Sequence, residues 1–195
     1  MKICILKETT QNEKRVALVP DVAKKLINDG FEVFIESGAG KQSDFSDEDY
    51  TGVGVTASEA DKIIPNADII FSVKMPNIDT IKKMKAEACL IGLLNPYDNH
   101  EQLKALSENN VNAFSMELVP RSPRAQSMDV LSSQSNLAGY KAIVDSSSMF
   151  NRAMPMMMTA AGTIAPAKIF IMGVGVAGLQ AIATSKRMGA VVSAT

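Results

Sequence analysis

Short apolar blocks alternate with amphipathic stretches along this chain, and the alternation predicts strands and helices in turn. Residues 2–6 form an apolar block, followed by a polar run over 7–15. Val22, Ala23, Leu26 and Ile27 recur at helical spacing, with Asp21 as the expected N-cap and Gly30 as the stop. Residues 31–36 alternate and close on Gly38 and Gly40, which predicts a second strand. A short helix is expected over 58–64, and a strand over 68–73 that delivers Lys74 at its end. An amphipathic helix over 78–85 and a strand over 88–94 follow, the strand ending at Asn95 and Pro96. Asn99 is placed to cap a helix reaching 108, and 111–118 reads as a further strand. This βαβ alternation predicts a doubly wound parallel sheet that is complete before residue 120.

The pattern then changes. Residues 120–129 are polar and punctuated by Pro120 and Pro123. A long helix is expected over 135–150, with apolar positions at Leu137, Tyr140, Ala142 and Val144, carrying the chain out of the first domain. The expected division is therefore 1–134 and 135–195. Between Met154 and Ala183 the only charge is Lys168. Pro155, Pro166 and a glycine turn interrupt that stretch, so it reads as a buried strand with flanking helices and not as a membrane span. Met156, Met157 and Met158 read as pliable core filler.

The second domain opens on a recognisable unit. An apolar run over 167–172 enters Gly173-Val174-Gly175-Val176-Ala177-Gly178 and leaves through a helical stretch over 179–187. Strand, glycine turn and helix in that order give the G-x-G-x-x-G pattern the context it needs. Gly173 permits the tight turn, Gly175 lets a pyrophosphate approach the backbone, and Gly178 lets helix and strand pack closely. Val176 stands where its N–H meets the phosphates at the positive end of the helix. The alternative is a buried βα unit whose glycines serve packing alone. A dinucleotide site usually adds an acidic residue about 20 positions past the turn to hold the adenosine ribose. The second strand here, 190–194, reaches Thr195 without one. The expectation is thus a Rossmann-like α/β domain that is cut short.

Composition narrows the classes of function. Twenty Lys and Arg against 21 Asp and Glu, scattered along the chain, give no basic patch for nucleic acid. Cys4 and Cys89 fall in expected strands and read as reduced core thiols. His100 is the single histidine, which leaves no cluster for a metal. The opening is too short and too soon charged to be a signal peptide.

In open α/β sheets, ligands gather beyond the carboxyl ends of the strands. Lys74, Asn95 and the loop after Pro120 lie at such ends. That loop brings two guanidinium groups, an amide, a carboxylate and hydroxyls together. An amide suits the carboxamide of a nicotinamide ring, and an arginine suits a carbonyl oxygen or a phosphate. A polar linker, with Arg121 and Arg124 paired to surface acids, is the alternative.

Several stretches resemble a known family. The run from Pro120 through Arg121, Ser122, Pro123, Arg124, Gln126, Asp129 and Ser132 to Gln134, followed by Asn136-Leu137-Ala138-Gly139-Tyr140, is similar to the NAD(H)-binding first domain of proton-translocating NAD(P) transhydrogenases, on their alpha subunit. So are residues 159–168, the glycine turn, and the opening Lys7-Glu8 with Glu13 to Ala17. The resemblance implies two Rossmann-like doubly wound parallel-sheet subdomains, the second incomplete, with the cofactor cleft between them. It implies that Arg121, Gln126, Asp129 and Ser132 hold the nicotinamide end of NAD(H). Ser122, Pro123 and Arg124 complete the wrap, while Gly173, Gly175, Val176 and Gly178 take the pyrophosphate. Gln126 and Asp129 are assigned to the transfer step, Gln126 reaching toward NADP(H) bound on a partner domain. Hydride transfer needs two rings held face to face and no side-chain acid or base.

The resemblance further implies NADP-binding and membrane components as partners, a homodimer, and a cytoplasmic position peripheral to the inner membrane. Alanine dehydrogenase is the competing relative. Its keto-acid-binding Arg and Lys match Arg15 and Lys74, but Asn95 and Pro96 stand where its acid/base His would fall, and His100 comes later. A non-catalytic remnant that keeps only a docking surface is the third expectation for so short a chain.

Overall fold

A computed structural model describes residues 1–120 and 122–195, which divide into two compact units, Met1–Pro120 and Arg121–Thr195. The first unit is built on strand β1 (Lys2–Ile5). Its side chains alternate between two cores. Ile3 and Ile5 join Val33, Ile35, Ala23 and Tyr50 on one face, while Cys4 joins Ile70, Leu90, Ile81 and Leu106 on the other. Both faces of β1 are therefore apolar, as a central parallel strand requires. Each fully buried isoleucine contributes roughly 1.5–3 kcal/mol.

Strands β2 (Glu32–Glu36), β3 (Thr56–Ser58), β4 (Ile69–Lys74), β5 (Cys89–Leu93) and β6 (Asn112–Ser115) complete the sheet. All pairs are parallel, in the order β3-β2-β1-β4-β5-β6. The order reverses between β1 and β4, so the switch point lies at their carboxyl ends. The crossovers contain α1 (Pro20–Asn28), α2 (Asp47–Thr51), α3 (Ala60–Ile63), α4 (Ile78–Lys82) and α5 (His100–Glu108).

Several local expectations are corrected. Helix α1 starts at Pro20 with Val19 as N-cap, since proline's fixed φ suits the first helical position; Asp21 lies inside the first turn and Val22 faces out. Residues 56–58 are strand and only 60–63 are helix. Helix α2, unanticipated, begins on a reciprocal capping box between Ser46 and Asp49. Helix α4 stops at Lys82, and β6 ends at Ser115 in a 3₁₀ turn. Asn99 is the N-cap of α5, but its side chain donates back to the carbonyls of Leu94 and Asn95.

The second unit contains α6 (Val130–Met149), the antiparallel hairpin β7 (Met157–Thr159) and β8 (Gly162–Ile164), then β9 (Lys168–Ile171), α7 (Val176–Arg187) and β10 (Val191–Ala194). Strands β9 and β10 pair in parallel, as the glycine-turn unit predicts. Helix α6 begins five residues before the expected start, and its apolar Leu137, Tyr140 and Val144 are exposed while Gly139 and Ile143 are buried. The expected flanking helix is instead the hairpin. Met156, Met157 and Met158 are exposed on it and fill no core; Met154 does, beside Ile143, Ala167 and Ala181. Strand β9 is half exposed. Cys4 and Cys89 are free thiols, and burial, with Glu36 nearby, pushes the Cys4 thiol up to about 12. Among the described residues no helix is long and apolar enough to cross a membrane, and no group of acidic, Cys and His residues is arranged to hold a metal.

Candidate functional site

The glycine turn sets the geometry of the second unit. Gly173 takes φ +93°, a left-handed conformation that L side chains rarely adopt. A Cβ at Gly178 would lie 1.8 Å from the Gly173 carbonyl oxygen, so nothing larger than glycine fits that first helical turn. Beside Gly175 a Cβ would meet nothing within 4 Å: the space is open. No side chain caps α7 at Gly175, which leaves its first backbone N–H groups directed at that space. An anion seated there would also meet the positive end of the helix dipole.

Helix α6 supplies the opposite wall. A cleft of about 430 Å³ is lined by Leu131, Ser132 and Ser135 of α6, and by Met172, Gly173, Gly175, Val176, Ala177 and Gly178. The two helices approach so closely that a Cβ at Gly139 would fall 2.1 Å from the Ala177 carbonyl oxygen. Of the residues expected from sequence, the cleft brings together Ser132, Gly173, Gly175, Val176 and Gly178. It adds Ser135, one helical turn beyond Ser132; that i, i+3 spacing is the signal that could have found it.

Asp129 stands just outside as the N-cap of α6. Its Oδ1 accepts from the Ser132 backbone N–H at 2.9 Å, and its Oδ2 accepts from the Ser132 hydroxyl at 2.6 Å. The carboxylate thus holds the helix end and fixes the Ser132 rotamer together. Ser122 leads into a 3₁₀ segment, Pro123–Met128, in which Ala125 is buried while Pro123, Arg124 and Gln126 are exposed. These three do not line the cleft. Arg121 lies outside the described residues.

In the first unit, charged groups gather at the carboxyl ends of β1 and β4. Arg15 Nε donates to Glu13 Oε1 at 2.7 Å and its Nη2 to Glu13 Oε2 at 2.6 Å. This two-point grip holds the Glu13 carboxyl below the usual range. Glu8 accepts from the backbone N–H groups of Val73 at 2.6 Å and Lys74 at 3.1 Å. Burial nonetheless pushes its carboxyl up, against those hydrogen bonds. At the end of β5 the Asn95 side chain donates to Asp98 at 2.7 Å, and its backbone N–H is taken by Glu117. No group that titrates near neutral pH stands there, and His100 opens α5 instead.

Comparisons with known proteins agree with this geometry. The family model described as alanine dehydrogenase/PNT, N-terminal domain, matches residues 4–138, and that for the C-terminal domain matches 142–195. The first of the two pieces that make up the NAD(P) transhydrogenase alpha subunit of Rhodospirillum rubrum is 50% identical over all of this chain and 52% of its own length. The crystal structure of transhydrogenase from Sinorhizobium meliloti superposes with TM-score 0.96 at 48% identity, covering 100% of this chain and 58% of that one. An L-alanine dehydrogenase structure gives 0.83 at 25% identity, covering 100% and 54%. The chain spans about half the length of the curated Rhodospirillum rubrum and Rickettsia prowazekii relatives it matches.

Proposed function

This chain belongs to the alanine dehydrogenase/PNT family, and we propose that it is the NAD(H)-binding part of a proton-translocating NAD(P) transhydrogenase, exchanging hydride with NADP(H) on a partner domain. The observation that carries the proposal is the cleft in which α6 faces the glycine turn and the uncapped start of α7. The pyrophosphate of a dinucleotide fits the open space at Gly175, where backbone N–H groups converge and no side chain intrudes. Bound there, the nicotinamide ring supplies the hydride chemistry. This chain's residues bind and orient.

Arg121, Ser122, Pro123 and Arg124 wrap the cofactor, Gln126 reaches toward the second nucleotide, and Asp129 acts by fixing Ser132. Hydride passes between two rings without a proton in flight, so positioning is the whole task. The partners in this reading are the NADP(H)-binding and membrane components and a second copy of the chain, at the cytoplasmic face of the inner membrane.

The alanine dehydrogenase reading is favoured by Arg15 and Lys74. It needs a proton donor and acceptor at the end of β5, where Asn95 has none to offer. Its arginine is also held by Glu13.

Two measurements test the proposal. Calorimetric titration of this chain with NADH should give saturable binding; none would overturn the nucleotide reading. In the intact enzyme, Arg121→Ala and Gln126→Ala should each slow hydride transfer about tenfold or more, on the scale of a lost hydrogen bond to a charged or closely positioned group. Melting temperature should stay unchanged. Transfer at the parent rate in either variant overturns that residue's assignment.

A further inference from the structure

We infer that the two serines of the cleft divide the cofactor between them, with Ser135 donating its hydroxyl to the dinucleotide pyrophosphate and Ser132 accepting from a donor group nearer the nicotinamide. The inference rests on the NAD(H) reading and names a residue beyond it. Ser132 and Ser135 lie one turn apart on the same face of α6, and both line the cleft with Gly175 and Val176. Their protons are not equally available. The Ser132 hydroxyl spends its proton on Asp129 Oδ2 at 2.6 Å, so toward a ligand it offers lone pairs alone. It suits a ribose hydroxyl or a carboxamide NH₂, and it repels a phosphate oxygen.

Ser135 is half-buried, and among the described residues its hydroxyl has no hydrogen-bond partner. Its proton is free for an anionic oxygen seated at the start of α7. Gly139 sets the approach. It lies four residues further along α6, where any side chain would drive the Ala177 carbonyl, and with it the first turn of α7, away from the helix that holds Ser135. Gly139 is therefore a positioning residue, while Ser135 touches the cofactor.

The test is NADH titration of the 195-residue chain and its variants by calorimetry, with ³¹P spectra of the bound cofactor. Ser135→Ala should weaken binding about tenfold, since hydrogen bonds to charged groups lie at the strong end of the range, and should reduce the pyrophosphate resonance shift. Ser135→Thr, which keeps the hydroxyl, should bind within about threefold of the parent. Gly139→Ala should weaken binding too, and adding Ser135→Ala to it should cost little more, because coupled residues are not additive.

If the parent binds NADH and Ser135→Ala matches it in affinity and in ³¹P shift, the serine assignment falls and the nucleotide reading stands. If the parent does not bind, both fall. Additive losses in the Gly139 pair overturn the positioning role alone. Should Gly139→Ala not fold, the Ser135→Ala and Ser135→Thr pair decides by itself.

Discussion

A single carboxylate can report the acid sensitivity of the first unit. Asp68 Oδ2 accepts from the backbone N–H of Lys2 at 2.6 Å, and its Oδ1 takes the Lys85 ammonium. The Lys85 contact, then the Lys2 bond, hold the Asp68 carboxyl below its ordinary range. A folded-state value below the unfolded one means stability that is present above the unfolded value and lost as pH falls through the folded one. Asp68→Asn should therefore melt below the parent at pH 7, and the gap should close below about pH 4, where ordinary aspartates protonate. Thermal melts across pH 3 to 7 check this, and a gap independent of pH refutes it. The same scale decides what the sequence makes legible. Gly173 and Gly178 are readable because left-handed φ and a 1.8 Å approach admit glycine alone. The role of Asp129 as a cap is not, because Ser132 to Ser135 read as loop. The clue is Asp129 with Ser132 three residues on, which is cap spacing.

At the scale of elements, the ends of the central strands are tied by the same device used twice. Glu8, just after β1, takes the backbone N–H groups of Val73 and Lys74 at the end of β4. Glu117, just after β6, takes those of Leu94 and Asn95 at the end of β5. Each carboxylate substitutes for a ladder partner where the neighbouring strand has stopped; β4 and β5 also shift register between Phe71 and Lys74. Removing Glu8 strands the Val73 N–H in a buried position, at a cost of about 1–3 kcal/mol. Glu8→Ala should lose that much in urea unfolding. Glu8→Gln should lose less than half of it, because it keeps an acceptor and removes a carboxylate that burial disfavours. Equal losses would show that charge, and not the backbone tie, is what Glu8 supplies. The sheet itself is legible from its apolar blocks. The short elements α2 and β3 are not, because three to five residues hold too little periodicity. The hairpin is hidden for another reason: its methionines are apolar in composition yet stand exposed.

At the scale of the molecule, the two units are unequally built. Strand β1 pairs on both sides and feeds two cores, and β4 does the same. Strands β9 and β10 pair only with each other, over a core of Ile143, Met154, Ala167 and Ala181, while Phe170 is 62% exposed and Val191 54%. Opening free energy follows burial and pairing, so the second unit should open first. In native-state hydrogen exchange, amides of β1 and β4 should be protected at least about thirtyfold more than those of β9 and β10, a difference of about 2 kcal/mol. Ligand linkage then separates the units. NADH at about 100 times its Kd should stabilise whatever holds it by about 2.7 kcal/mol. That gain should slow exchange in α7 and β9 by close to a hundredfold, up to the limit set by global unfolding, and leave β1 and β4 as they were. Protection that rises in the first unit alone would place the cofactor on the wrong sheet and remove the glycine turn from the site. Equal protection of both units without ligand would mean that the thin core around Met154 is stronger than its burial indicates.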